Sequence, residues 1–373
     1  MRRRDFLRAG LFGAGALAFG RGLTGCDNNG PYGALQAADA NGIMLPTGFT
    51  SRVVARSGQT VPGTSYVWHG APDGGATFLA LDGGWVYTSN SELALRTGGA
   101  SAIRFAADAT VVDAYRILGD TTANCAGGPT PSGTWLSCEE RDTGRVWECD
   151  PFGVETAVVR PALGTFKHEA AAVDPGRGHV YLTEDRTDGC LYRFAATAFP
   201  DLSVGTLEVA TVAGGTMSWS VVPDPTASVV PTRQQVPGST TFNGGEGAWF
   251  DDDTLWFTTK GDNRVWELDP ASATLTVIYD AATSSNPILT GVDNIVGSAN
   301  GDLYIAEDPG DLQLVLLRPN GRLFPFLQMI DQSGSELTGP AFNPSGTRLY
   351  FSSQRGPSNS GGITYEVSGP FHS

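Results

Sequence analysis

The chain has few histidines and lacks the short motifs that mark common hydrolytic and nucleotide-binding sites. It has four histidines in 373 residues, and apart from His179, in a predicted turn, only His69 and His168 are internal. This number excludes a histidine-rich zinc or non-haem iron centre. The sequence also has no Gly-x-Ser-x-Gly elbow, no His-Glu-x-x-His pair and no phosphate loop. These absences leave no motif for a serine hydrolase, a zinc protease of that type or a P-loop nucleotidase.

Cysteine is also scarce, and no Cys-x-x-Cys pair is present, so we expect no zinc knuckle. Apart from Cys26, the chain contains four cysteines, which are Cys125, Cys138, Cys149 and Cys190. In an oxidising compartment this even number allows one or two disulfides, whose connectivity the sequence does not give.

Basic residues are fewer than acidic residues. The chain carries 24 lysines and arginines against 39 acidic residues, for a net charge of −15. Such a surface disfavours nucleic acid and anionic lipid, and its carboxylates are ligands of the kind that calcium prefers. The alternative is an acidic surface that is simply solvated.

The N-terminus predicts export. Arg2-Arg-Arg-Asp-Phe-Leu7 precedes an apolar run over residues 11–19 that is too short to span a bilayer. The order of residues resembles a twin-arginine signal, and Leu23-Thr-Gly-Cys26 resembles a bacterial lipobox with lipidation at Cys26. The alternative is a plain signal with a chance cysteine. We therefore predict a signal peptide over residues 1–25 and a flexible tether over 26–45, and no later segment is apolar enough to cross a membrane. The protein would be a periplasmic or cell-surface lipoprotein that touches the membrane only through this anchor.

One pattern recurs six times from residue 46 to 373, as a short apolar strand with an aromatic near its start and a polar cluster at its end. The copies are Val86-Tyr-Thr-Ser-Asn-Ser-Glu92, Thr134-Trp-Leu-Ser-Cys-Glu-Glu140, Val180-Tyr-Leu-Thr-Glu-Asp-Arg186, Leu255-Trp-Phe-Thr-Thr-Lys260, Leu303-Tyr-Ile-Ala-Glu-Asp308 and Leu349-Tyr-Phe-Ser-Ser-Gln-Arg355. Four β segments per copy predict an all-β, six-bladed β-propeller of four-stranded blades, with an insertion near residues 196–240. The last blade lacks a fourth strand, which Thr50-Ser-Arg-Val-Val-Ala55 would supply to close the ring. A twin-sheet sandwich is the rival fold.

Polar residues recur at two points of this pattern that should meet at one mouth of the channel. The first strands begin with Cys125, Glu169, Glu246 and Asp293, whereas the first and sixth copies have Gly75 and Leu337-Thr-Gly there. The second strands end with Glu139, Glu184, Lys260 and Glu307, and an antiparallel pair places these ends beside the starts of the first strands. Gathered carboxylates need cations to neutralise them, and a thiolate among them favours a mixed metal site. The alternatives are carboxylates that cap their own turns, and a Cys125 that is a buried thiol or half of a disulfide.

Three long stretches make the chain resemble the PhoX alkaline phosphatase family of secreted bacterial phosphatases. They are Asn124-Cys-Ala-Gly-Gly-Pro-Thr-Pro-Ser-Gly-Thr-Trp-Leu-Ser-Cys-Glu-Glu140, Gly164-Thr-Phe-Lys-His-Glu-Ala-Ala-Ala-Val-Asp-Pro175 and Val180-Tyr-Leu-Thr-Glu-Asp-Arg186. Phe242-Asn-Gly-Gly-Glu-Gly247 and Gly361-Gly-Ile-Thr-Tyr-Glu-Val-Ser-Gly-Pro-Phe371 add to them.

The resemblance implies a propeller phosphatase with an iron–calcium cluster at the channel mouth. Carried across by motif, Cys125, Glu169 and Glu246 would bind iron. Candidate calcium or bridging ligands would be Glu139, Glu184, Asp293 and Asp308. Lys260 and Arg186 would hold the non-bridging oxygens of a small phosphorylated substrate, which metals would polarise. We expect a monomer.

The chain departs from the family in two ways, and both departures concern activity more than metal binding. The chain is shorter than the well-studied phosphatases, and it has Gly244 where they have an arginine two residues before the shared glutamate. Losing a phosphate-binding arginine removes a few kcal/mol of transition-state stabilisation. The alternatives are therefore a calcium-dependent lactonase or phosphotriesterase of the gluconolactonase kind, and a non-catalytic binding propeller stabilised by metal.

Overall fold

A computed structural model describes residues 30–357 and 361–372, and the predicted signal peptide and the lipidation site Cys26 lie outside this range. The described residues form β-strands joined by turns and loops, with short 3-10 turns at Pro161–Leu163, Thr232–Gln234 and Lys260–Asp262. Within the described residues no helix has both the length and the hydropathy to span a membrane.

The strands follow one another along the chain with short turns between them. In chain order they are β1 (Ile43–Met44), β2 (Thr50–Arg56), β3 (Pro72–Leu79), β4 (Trp85–Ser91), β5 (Gly98–Phe105), β6 (Val111–Thr121), β7 (Asn124–Pro129), β8 (Trp135–Glu139), β9 (Val146–Cys149), β10 (Val158–Val159), β11 (His168–Asp174), β12 (His179–Glu184), β13 (Leu191–Ala198), β14 (Asp201–Ala213), β15 (Thr216–Val221), β16 (Gly245–Asp251), β17 (Thr254–Thr259), β18 (Arg264–Asp269), β19 (Thr274–Asp280), β20 (Val292–Gly297), β21 (Leu303–Glu307), β22 (Gln313–Leu317), β23 (Leu323–Met329), β24 (Leu337–Phe342), β25 (Arg348–Ser353) and β26 (Ile363–Ser368).

The fold is all-β and propeller-like. The strands form successive antiparallel units, which we number by their order in the chain: β3–β6, β7–β10, β11–β14, β16–β19, β20–β23 and β24–β26 with β2. The first strands of consecutive units pack against each other in a ring that returns from β24 to β3. Among the described residues, hydrogen bonding joins these units into five sheets and not six separate ones, because β15 links the third and fourth units into one nine-stranded sheet.

The recurring aromatic residue explains how neighbouring units adhere. Tyr87, Trp135 and Tyr350 occupy this position in their units and are buried. The ring of Tyr87 stacks on that of Tyr350 at 5.0 Å between centroids, and the indole of Trp135 donates a hydrogen bond to Asn90 of the first unit at 2.9 Å. Each copy therefore completes its hydrophobic core only against the next copy.

The N-terminal strand closes the last unit, as the sequence predicted. β2 pairs with β26 from Thr50 opposite Ser368 to Arg56 opposite Ile363. The Arg52 guanidinium also contacts the Glu366 carboxylate at 2.7 Å across the two strands. The pairing covers what would otherwise be an exposed strand edge in the sixth unit.

The predicted flexible tether is wrong for residues 30–45, which pack on the domain. Ile43 and Met44 form β1 and pair with Met329 and Gln328 of β23. Ile43 is fully buried, and the ring of Tyr32 packs edge-on against other aromatic rings. The segment is ordered because the fifth unit offers these apolar side chains a surface to bury.

The segment between β14 and β16 is the longest departure from the repeat. It contains β15 and a loop over residues 222–244. Arg233 fastens the loop to the third unit, with its guanidinium 3.2 Å from Glu184 and 2.9 Å from Asp188. The insertion therefore reaches the same face of the molecule as the ends of the second strands.

Cys125, Cys138, Cys149 and Cys190 are free thiols, so the disulfides that their even number allowed do not form among the described residues. The strand register explains the separation of Cys138 from Cys149, since β8 and β9 place Cys138 opposite Val146 and Cys149 opposite Trp135.

Candidate metal and substrate site

Each first strand of the six units directs one side chain towards a common mouth, and in each strand a β-bulge near its start sets this direction. Each strand has a break in its pairing register that begins one or two residues after its start. Such β-bulges re-aim side chains near functional sites. The second residue of each strand is the inner position of that unit, and these positions hold Asp73, Cys125, Glu169, Glu246, Asp293 and Thr338.

The structure corrects the predicted alignment of the first unit. The inner position there is Asp73, two residues before Gly75. The Asp73 carboxylate accepts a hydrogen bond from the Cys125 thiol at 3.5 Å and another from the Gln354 amide at 2.6 Å. Ionisable side chains therefore occupy the inner positions of five consecutive units and not four.

A second set of side chains faces the same mouth from the residues that directly follow the second strands. These outer positions hold Glu92, Glu140, Asp185, Lys260, Asp308 and Gln354. The side chains of the two sets meet, as in the contact between Gln354 and Asp73 and that between Lys260 and Glu246.

The predicted ligands Glu139 and Glu184 lie one residue before the outer position, and the structure engages them elsewhere. The Glu139 carboxylate accepts the backbone N–H groups of Thr122 at 3.0 Å and Arg145 at 3.2 Å. The Glu184 carboxylate accepts the hydroxyl of Tyr192 at 2.8 Å and also contacts Arg233. Both glutamates fix their own hairpin turns, which was the alternative that the sequence left open, and Glu307 does the same in the fifth unit.

Among the described residues, the mouth contains three overlapping groups of possible metal ligands, and within each group the ligand atoms lie within 4.8 Å of one another. We call them the first, second and third triads. They are Cys125–Glu140–Glu169, Glu169–Glu246–Asp293 and Asp293–Asp308–Glu336. Five of the seven predicted ligands are thus brought together, namely Cys125, Glu169, Glu246, Asp293 and Asp308. Glu140 and Glu336 were missed.

Glu169 joins the first and second triads and has no hydrogen-bond partner among the described residues. The residue is fully buried, and neither carboxylate oxygen has a hydrogen-bond donor. Burial raises its pKa well above the usual range, and the neighbouring Glu246 and Glu140 carboxylates raise it further. A buried carboxylate left without donors is strongly disfavoured unless a cation neutralises it. The residues around Glu169 therefore fit a metal ion.

The two lysines of the chain are both at this mouth. The Lys167 ammonium lies 2.6 Å from Glu140 and 2.6 Å from Asp185. The Lys260 ammonium lies 2.9 Å from both Glu246 and Asp308. Burial opposes the charge of Lys260, but Glu246, Asp293 and Asp308 outweigh it and raise its pKa, so the ammonium stays protonated. The scarcity of lysine was a signal in the sequence that would have found Lys167.

Arg186 and Arg355 both form ion pairs, but at different places. Arg186 forms an ion pair with Asp142, a largely exposed residue of the second unit, and is not part of any triad. Arg355 instead contacts the third triad, with its guanidinium 2.5 Å from Glu336, and 48% of its side chain is exposed. Burial, with Asp308 as the next cause, raises the pKa of Glu336 to about 10.

Gly244 occupies a backbone conformation that disfavours any side chain. Its φ is +67°, and a Cβ there would lie 3.3 Å from the backbone nitrogen of Gly261 and 3.4 Å from Asp185. The positive φ therefore favours glycine at this position and makes any other residue there strained.

The sequence pattern of the family described as Alkaline phosphatase PhoX matches residues 63–148 and 141–356, well over half of the chain. The chain belongs to the PhoX alkaline phosphatase family. No curated protein matches this PhoX family member.

Solved structures share the fold of this PhoX family member at low sequence identity. The Pseudomonas fluorescens PhoX in complex with vanadate, a transition state analogue, has a TM-score of 0.77 at 17% identity, over 89% of this chain and 97% of that chain. A gluconolactonase from Xanthomonas campestris has a TM-score of 0.50 at 13% identity, over 91% and 99%. A Bacteroides thetaiotaomicron protein of unknown function has a TM-score of 0.54 at 8% identity, over 86% and 76%. At these identities the likeness concerns the fold, and residue roles must come from the geometry of the site.

Proposed function

We propose that this PhoX family member is a metal-dependent hydrolase of phosphate esters, built as a six-bladed propeller whose channel mouth holds iron and calcium. The observation that carries the proposal is Glu169, a fully buried carboxylate without donors between two groups of possible ligands. Membership of the family supports the reaction class, and the ring formed by the first strands of the units supports the number of blades.

The donor set matches the two proposed metals. Cys125 is the only sulfur in the three triads, and a thiolate favours iron over calcium. The carboxylates of Glu140, Glu169, Glu246 and Asp293 supply the oxygen ligands that calcium and ferric iron accept. When bound, the ions would polarise the phosphoryl oxygens and neutralise the charge that develops on them.

The protein's own cations would orient the substrate. The Lys260 ammonium has three protons, and its two contacts at 2.9 Å leave a third for a phosphoryl oxygen. About a third of its side chain is exposed at the mouth. Arg355 offers a second, more exposed donor beside the third triad and would compensate for the arginine that Gly244 replaces. Arg186 has no part in this proposal because it is engaged with Asp142.

We further propose that residues 1–25 direct export by the twin-arginine route and that Cys26 carries a lipid, with the protein acting as a monomer. The negative net charge supports a small phosphorylated substrate bound at a local cationic site and no nucleic-acid partner.

Elemental analysis of the exported protein, combined with assays on phosphomonoesters, phosphodiesters and lactones, tests the function. We expect iron and calcium together with phosphoesterase activity. Cys125→Ser should lose the iron and lower turnover at least about 100-fold, since it removes the only soft ligand. Cys149→Ser is the matched control, because this buried thiol lies outside the mouth. A Cys125→Ser variant that keeps full activity, or a wild type that prefers lactones, would favour the gluconolactonase-type alternative.

A further inference from the structure

The third triad differs from the other two in already carrying cations that belong to the chain. The Lys260 ammonium donates a hydrogen bond to Asp308 at 2.9 Å, and the Arg355 guanidinium donates one to Glu336 at 2.5 Å. Two of the three carboxylates of this triad, Asp293–Asp308–Glu336, are therefore paired with positive side chains. The remaining member, Asp293, accepts a hydrogen bond from the amide of Asn294 at 2.9 Å.

The first and second triads are neutralised less completely. Each has one carboxylate paired with a lysine, Glu140 with Lys167 and Glu246 with Lys260. They share Glu169, to which no side-chain cation or donor is attached. Among the six carboxylates of the triads, Glu169 is thus the one without a side-chain donor.

We propose that Lys260 and Arg355 are the resident cations of the third triad, which therefore binds no metal ion, and that metal ions are confined to the two triads that contain Glu169. The inference rests on the metal centre proposed above and revises the role predicted for Asp308 from metal ligand to partner of Lys260.

Geometry and charge give the physical reason. Calcium requires six to eight oxygens at about 2.3–2.6 Å, and in the third triad the Lys260 ammonium lies 2.9 Å from Asp308 while the Arg355 guanidinium lies 2.5 Å from Glu336, so two of its three carboxylates already hold a cation. A cation at this point would have to displace Lys260 and leave two positive charges side by side. The tethered ammonium cannot diffuse away, so this end of the mouth keeps its charge balance when free calcium is low.

Removal of the ammonium tests the inference through metal binding alone. We expect Lys260→Met to bind one more calcium ion per chain than the wild type, measured by equilibrium dialysis of the exported protein against calcium alone. Arg264→Met is the matched control, because Arg264 also bridges two carboxylates, Asp262 and Asp280, but lies outside the triads. The control should bind as much calcium as the wild type. No added calcium in Lys260→Met overturns the proposal, whether or not the wild type contains iron.

Asp308→Asn provides an independent test that does not depend on the folding of the lysine variant. Under the proposal this change leaves the iron and calcium content of the exported protein unaltered, because Asp308 binds Lys260 and no metal. The loss of one ion per chain would contradict it. Failure of the proposed function has a different signature, namely a wild type without iron, calcium or phosphoesterase activity.

Discussion

Glu169 is the side chain in which function and stability conflict most directly. It is fully buried, both of its oxygens lack donors, and burial together with Glu246 and Glu140 raises its pKa. Other acids of the triads have partners, as Glu140 has Lys167, Asp293 has Asn294 and Glu336 has Arg355. A position arranged in this way stabilises the fold only when a ligand neutralises it.

Glu169→Gln should therefore stabilise the metal-free protein while abolishing its metal content. The amide removes a buried unpaired acid at constant size, and we expect a gain of about 1–3 kcal/mol in the free energy of unfolding, measured by urea titration in chelator. Glu208→Gln is the control, since Glu208 is paired with Arg193 at 2.6 Å on the outer part of the third unit and should show no gain. A metal-free Glu169→Gln protein less stable than the wild type would contradict this account.

His69 makes the fold sensitive to acid. Burial, followed by the nearby Arg116, lowers its pKa from 6.5 to about 3. Below pH 6.5 the unfolded chain therefore binds a proton that the folded protein does not, so stability falls as the pH drops from 6.5 towards 3. Between pH 7 and 4.5 this one residue costs about 3 kcal/mol.

Replacing His69 by Gln should remove that part of the pH dependence. We expect the difference in unfolding free energy between pH 7 and pH 4.5 to shrink by about 3 kcal/mol, as measured by urea titration at each pH. His179→Gln, at a partly buried ring in the third unit, should change the difference less. An unchanged difference in the His69 variant would show that folding does not lower the pKa of His69.

At the scale of elements, the first strands of neighbouring units pack so closely that only glycine fits at some of their contacts. A Cβ at Gly128 of β7 would lie 1.7 Å from the carbonyl oxygen of Ala171 in β11, and one at Gly247 of β16 would lie 2.7 Å from the Cα of Asn294 in β20. Both contacts are with backbone of the next unit, which cannot move without shifting the inner positions. The spacing of the triads thus depends on glycines that carry no chemistry.

Gly128→Ala should separate β7 from β11 and lower the free energy of unfolding by about 3 kcal/mol, with a parallel loss of bound metal. Gly119→Ala is the matched control, because a Cβ at Gly119 would meet only the side chain of Arg116 at 3.5 Å. Thermal unfolding and elemental analysis of the two variants check the prediction. Equal stability of the two variants would refute it.

The strand pattern predicted most elements but not the last step of register. Alternation and turns located the second strands and the closing strand β2, because both follow from local periodicity. Whether Glu139 or Glu140 faces the mouth depends on where β8 ends and its turn begins. The Glu139 carboxylate accepts backbone hydrogen bonds at this turn, which leaves Glu140 to face the mouth. The bulge in β3 moved the inner position to Asp73 in the same way. These are single-residue shifts that hydrophobic pattern alone does not define.

At the scale of the whole molecule, the repeat predicted where chemistry would gather, and the exceptions arose between repeats. Glu336 lies directly before β24, at neither of the two polar positions of the repeat. Only the folded ring brings it to Asp293 and Asp308. The link through β15 and the docking of residues 30–45 likewise involve segments outside the repeat. Long motifs indicated the family, whereas only the structure showed which carboxylates at the mouth are paired with a lysine or arginine.

The shared bulge of the first strands has a consequence for how such a site changes over evolutionary time. Each unit presents its inner residue through its own backbone irregularity. A substitution at one inner position therefore exchanges one ligand without altering how its neighbours are presented. In the sixth unit the inner position is Thr338, which contributes neither a thiol nor a carboxylate. A single mutation can thus exchange one ligand of the site while the scaffold stays constant.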